Sequence, residues 1–199
     1  MYFVMKIIAT VVISVMMQAG TESIVATTPR EAVLDFMEGL ENRDTYVMEK
    51  YMDDSYVNFI TNVQGDEAVV ERMNDALFSG FTYKIEDMAV KNDVAVAKVT
   101  ITSCDFSGVL DAYNTVSYQY VVDNLYTDEI ADKDWLNAQC LELYVEQVEE
   151  AAAVGATMET TVFIPMVDDG FYGWNIIMTD GLMSSVLGNL QIPTGQQRG

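Results

Sequence analysis

The chain contains no histidine, only two cysteines and three prolines, and ten basic residues against 31 acidic ones. Each shortage excludes something. Without histidine there is neither the commonest general base nor the commonest transition-metal ligand. Ser-His-Asp and Cys-His catalysis are therefore both excluded. Two cysteines cannot build a structural zinc site. A reaction, if there is one, has to rest on carboxylates, tyrosines or lysines, and no motif in the chain asks for a cofactor. The net charge of −21 repels nucleic acid and anionic lipid. It suits a soluble, acidic surface or a cationic partner. No apolar run reaches the roughly 20 residues of a membrane span.

What is present begins at the N-terminus. Lys6 precedes Ile7–Met17, a stretch that is apolar but for Thr10 and Ser14, and Gln18-Ala19-Gly20 and a polar segment to Ala26 follow. A positive residue, a short apolar core and small residues beyond it predict a secretory signal peptide over 1–26. The localisation expected is secreted or extracytoplasmic. The alternative is an uncleaved N-terminal anchor, the one way this chain would meet a membrane. No cysteine lies near the cleavage site to carry a lipid. Residues 27–190 then make one domain of ordinary size, with a flexible tail over 191–199.

Local signals divide this domain. Thr28-Pro29-Arg30-Glu31 reads as a capped helix start, with Val33, Phe36, Met37 and Leu40 at helical spacing. Asp44 caps a second helix, with Val47, Met48, Tyr51 and Met52 on one face. Gly65-Asp66 opens a third, with Val69, Val70, Met73 and Leu77 on one side. Alternation from Phe81 predicts a strand with a bulge near Asp87, a turn at Lys91-Asn92-Asp93, and a second strand over Val94–Phe106. A long helical region runs from Gly108 to Ala153 and divides near Thr127-Asp128. Its stripes are Leu110, Tyr113, Tyr120 and Val121, then Leu136, Cys140, Leu143, Tyr144 and Val148. Met158–Val167, the turn Asp168-Asp169-Gly170 and Phe171–Thr179 form another hairpin, and Asp180 caps a last helix. The fold class is α+β. Cys104 ends a strand and Cys140 sits on a helical stripe; two buried free thiols or a Cys104–Cys140 disulfide both fit a secreted chain.

Two stretches carry a family resemblance. Thr28-Pro29-Arg30-Glu31-Ala32-Val33 through Leu40-Glu41-Asn42-Arg43-Asp44 is similar to the proline-started first helix of many secreted bacterial members of the nuclear transport factor 2-like superfamily. Asp169-Gly170-Phe171-Tyr172-Gly173-Trp174-Asn175-Ile176 resembles their final hairpin. Asp180-Gly181-Leu182-Met183 through Leu187-Gly188-Asn189-Leu190 resembles the tail of such domains in Gram-positive bacteria. The resemblance implies a curved antiparallel sheet packed on N-terminal helices, forming a cone, with the helical pair inserted between the two hairpins. It also implies an uncharacterised accessory role at the cell envelope, and a homodimer through the outer sheet face, to which Thr100, Thr102 and Met158–Val167 would contribute. The inserted pair would either cover or fill the cone.

The acidic pairs Asp53-Asp54 and Asp168-Asp169 sit at element ends, where aspartate is ordinary turn chemistry. Asp123, Asp128, Glu129, Asp132 and Asp134 cluster at the helix break without the loop spacing of a calcium site, and no metal ligand set is expected. Tyr113, Tyr120, Tyr144, Tyr172 and Trp174 are the candidate ligand-binding residues, since aromatic rings with polar tips line pockets for apolar ligands. No catalytic residue is singled out. The expectation is a non-enzymatic domain that binds a small ligand or an envelope protein partner. The alternative is a cofactor-free enzyme of isomerase or hydrolase type using Tyr and Asp in the cone.

Overall fold

The computed structural model describes residues 28–51, 67–170 and 173–193. The expected leader, Met52, the Asp53-Asp54 pair, Phe171, Tyr172 and the last six residues lie outside them. The order is α1 (Pro29–Glu41), α2 (Thr45–Tyr51), α3 (Glu67–Phe78), β1 (Thr82–Lys91), β2 (Val94–Cys104), α4 (Val109–Asp123), a 3-10 turn (Asp128–Ala131), α5 (Lys133–Val154), β3 (Thr157–Asp168), β4 (Trp174–Ile176) and α6 (Asp180–Val186). The fold is α+β, with one four-stranded antiparallel sheet ordered β1-β2-β3-β4.

The capping box opens α1 as its sequence predicts. Thr28 Oγ1 accepts from the Glu31 N–H at 3.2 Å, and the Glu31 carboxylate accepts from the Thr28 N–H at 2.9 Å. Two orphan donors of the first turn are satisfied, which stabilises the helix by about 1 kcal/mol. Asn42 ends the helix and Arg43 turns the chain at φ 59°. Asp44 Oδ1 then accepts from the Tyr46 N–H at 2.9 Å and starts α2. At the other end of the domain the expectation needs correcting by one residue. The cap of α6 is Thr179, whose hydroxyl accepts from the Leu182 N–H at 3.2 Å. Asp180 instead lies in the first turn, where its charge faces the positive end of the helix dipole.

The bulge expected near Asp87 is present: the register slips between Ile85 and Asp87, leaving Glu86 as the extra residue. Strand β2 ends at Cys104 rather than Phe106. It pairs along its whole length with β3, from Val94↔Val167 to Cys104↔Thr157. The return strand is shorter than expected: β4 covers three residues of the 171–179 stretch.

One face of this sheet is covered. Ala95, Ala97, Val99 and Ile101 of β2, Val162, Ile164 and Met166 of β3, and Trp174 and Ile176 of β4 are buried in a single cluster with residues of α1, α3, α5 and α6. Helix α1 supplies Ala32, Val33, Phe36, Met37 and Leu40, all fully buried. Burying Phe36 alone stabilises the fold by roughly 1.5–3 kcal/mol. Helix α4 contributes little to this core, with Val109 its one buried residue. Leu110, Tyr113, Tyr120 and Val121 are only partly buried, and the Tyr113 and Tyr120 rings pack on Tyr144 and Trp135 of α5.

Candidate functional site

Helix α5 carries one of the five candidate aromatic residues, Tyr144. Asp132 caps it by accepting from the Asp134 and Trp135 N–H groups, and Gly155 ends it in the left-handed conformation. This places Tyr144 over the core, 1% exposed, with its hydroxyl donating to the Gln191 carbonyl at 2.9 Å. Tyr113 of α4 meets it edge-on, the ring centroids 5.4 Å apart. Burial, reinforced by Cys140 beside it, pushes the Tyr113 phenol up to about 12. Burial also raises Tyr144. Both rings are neutral packing groups at physiological pH.

The remaining candidates lie elsewhere. Tyr120 stacks at a tilt on Trp135, centroids 6.1 Å apart. Trp174 opens β4 and is buried in the core. Tyr172 is not among the described residues. Among the four that are described, only Tyr113 and Tyr144 are in ring contact with each other. Cys104 and Cys140 are free thiols here: Cys104 is buried beside Gly80, and Cys140 is half-buried beside Tyr113.

The described residues form concavities away from these positions. One of about 500 Å³ lies along the β1–β2 turn, from Ala89 to Val96. One of about 240 Å³ lies between the start of α4 and the end of α5. A third, of about 400 Å³, contains Arg72, Asp75, Ser79 and Glu149. Tyr113, Tyr120, Tyr144 and Trp174 line none of the three. Among the described residues the buried polar side chains are Ser103 and Ser185, with no carboxylate among them. Asp35 of α1 is held above the ordinary carboxylate range by partial burial, with Lys50 opposing and Glu38 and Glu31 reinforcing.

A polar cluster that sequence reasoning missed lies in the third concavity. Arg72 of α3 donates through Nε and Nη2 to Glu149, at 2.9 and 2.5 Å, and through Nη1 to Glu142 at 2.5 Å. Glu142 and Glu149 are seven residues apart, two helical turns, so one guanidinium can span both. The Glu149 pKa is lowered chiefly by this hydrogen bond. The cluster bolts α3 to α5, with all three guanidinium nitrogens donating.

The outer face of the sheet, to which the expectation assigned Thr100, Thr102 and Met158–Val167, carries apolar residues at one end. Val94, Val96, Phe163, Pro165 and Val167 share that face by strand parity, and Ile177 adjoins Pro165. Phe163 is 64% exposed, Val94 52% and Ile177 49%. Toward β1 the face turns polar: Lys98 contacts Glu86 at 2.8 Å, and Thr100 and Thr161 hydroxyls lie 3.4 Å apart. Strand alternation shows that two apolar rows exist but not which row the helices cover.

No family model and no curated protein matches the chain. Among solved structures it is similar to ycdA of Bacillus subtilis, provisionally named a lipoprotein, at 17% identity with a TM-score of 0.43. The similarity covers 83% of this chain, which spans 48% of that protein. Likeness at this level carries no argument about family or function. Among the described residues no helix is long and apolar enough to cross a membrane.

Proposed function

We propose that this chain is a non-enzymatic binding domain, secreted or held at the cell envelope, that associates with protein through the outer face of its sheet. The carrying observation is the apolar row Val94, Phe163, Val167 and Ile177, left exposed on a well-paired sheet. A contiguous exposed patch of this kind marks an interaction surface more often than scattered apolar residues do. The first partner expected is a second copy. On a chain of net charge −21, like surfaces repel, and this face is where Lys84 and Lys98 offset Glu86. The secretory leader and the nuclear transport factor 2-like cone belong to the same proposal.

Sedimentation velocity and native mass spectrometry on the full chain test it. The expected result is a reversible dimer that Phe163→Ser and Ile177→Ser each convert to monomer with unchanged far-UV circular dichroism. A dimer indifferent to both changes overturns the assignment of the face. A retained small-molecule adduct on a monomer overturns it in favour of ligand binding.

A further inference from the structure

Helix α4 leaves the core after Val109 and lies on α5 through the side bearing Tyr113 and Tyr120. Its opposite side is polar at first, with exposed Asp111, Asn114 and Thr115. From there to the tip it becomes apolar. Tyr118 and Val122 stand one turn apart on that side, and Leu125 and Tyr126 extend the apolar stripe in the turn that follows the helix end at Asp123. Tyr118 is 70% exposed, Leu125 55% and Tyr126 97%. A solvated helix face in so acidic a chain would ordinarily carry Glu, Gln or Lys. Trp135, stacked on Tyr120 at the start of α5, adds a partly exposed ring to the same tip.

Carboxylates rim this stripe. Asp123, Asp128, Asp132 and Asp134 are all exposed. Asp123 accepts from Gln119 at 2.7 Å and Asp132 caps α5. Among the described residues no ion pair engages Asp128 or Asp134, and the one cation along this tip is Lys133. A second copy would bring like charges together at this rim. An anionic lipid surface would be repelled by it. A positively charged segment with its own apolar side meets both features at once.

We propose that the tip of the α4–α5 hairpin docks a cationic amphipathic protein segment, whose apolar side chains lie on Tyr118, Leu125 and Tyr126 and whose Lys or Arg residues reach Asp128 and Asp134. This surface is separate from the sheet face, and either assignment stands without the other. Such helix-on-stripe recognition takes its affinity from a few aromatic and aliphatic anchors and its selectivity from the charged rim.

The probe is a fluorescein-labelled Lys/Leu peptide, with leucine at helical spacing and lysine elsewhere, titrated with the full chain and followed by anisotropy. The expected result is saturable binding. The triple change Tyr118→Ser, Leu125→Ser, Tyr126→Ser should weaken it at least tenfold, as loss of a group of central anchors does. The double change Asp128→Asn, Asp134→Asn should weaken it about threefold and flatten its salt dependence. Val90→Ser, at an exposed apolar position of β1, should leave it unchanged. A Lys/Ser peptide of equal charge should bind at least tenfold more weakly than the Lys/Leu peptide. Absence of saturable binding overturns the proposal. So does full affinity in the triple variant, which keeps every charge and would reveal attraction to the acidic surface at large. Co-sedimentation of the chain with phosphatidylglycerol vesicles, lost in the triple variant, would reassign the tip to lipid.

Discussion

Replacing Gly188 with alanine perturbs the joint between α6 and the end of β2. Gly188 has φ +55°, and its carbonyl accepts from the Phe106 N–H at 2.7 Å. A Cβ built there would collide with the Cys104 carbonyl oxygen and come within 2.9 Å of the Phe106 ring. The left-handed conformation alone costs alanine about 1 kcal/mol. The collision is with backbone, so no rotamer change relieves it. The loop has to move, which gives up the hydrogen bond at about 1 kcal/mol and loosens the buried Leu187 and Leu190. With roughly 2 kcal/mol for partly exposing the two leucines, these come to about 4 kcal/mol, a large part of a domain's net stability of roughly 5–15 kcal/mol. Gly155 supplies the control. Its φ is +69°, and a Cβ there meets nothing within 4 Å. Gly155→Ala should therefore cost about 1 kcal/mol. In thermal and urea unfolding, Gly188→Ala should lower the midpoint by about 10 °C and Gly155→Ala by about 3 °C. Equal shifts would refute the steric argument and leave only the dihedral.

The Arg72 cluster makes stability depend on acid. Glu149 has a folded pKa below its ordinary 4.5, so its contribution is present above pH about 4.5 and is lost as pH falls through the lowered value. Arg72→Met should cost about 1 kcal/mol at neutral pH, the pair being partly exposed, and the deficit should shrink toward pH 3 in urea titrations; a pH-independent deficit would point to packing alone. At the alkaline end, Tyr113 is raised to about 12 from 10.0. Stability should fall as pH rises from about 10 through about 12, and Tyr113→Phe should make that fall less steep. Tyr144→Phe removes the hydrogen bond to the Gln191 carbonyl and should cost about 1 kcal/mol in urea unfolding; no change would mean that water replaces the hydroxyl there without loss.

Much of the chain's local structure was legible without coordinates. The Thr28–Glu31 capping box, the Asp44 cap, the Asp87 bulge and the Gly155 stop each depend on residues within a few positions of one another. Backbone donors and left-handed turns impose the same demands wherever the segment lies. The same locality explains the small misses: Thr179 and Asp180 are adjacent residues either of which can cap, and only the geometry selects the threonine. The pairing of Tyr113 with Tyr144 is different in kind, since it joins residues 31 apart that no local signal relates.

What the tertiary structure alone decided is which apolar surfaces are covered. Strands β2 and β3 carry apolar side chains on both faces, Ala95, Ala97, Ile164 and Met166 on one and Val94, Val96, Phe163 and Val167 on the other. Their periodicity is nearly the same. The helices fill one face only, because the connections of α1, α3, α5 and α6 all return to the same side of the sheet. Likewise Tyr113 and Tyr118 stand five residues apart on one helix, and α5 covers the first while leaving the second in water. Sequence sets the period of each element, but burial depends on a neighbour that is distant in the chain.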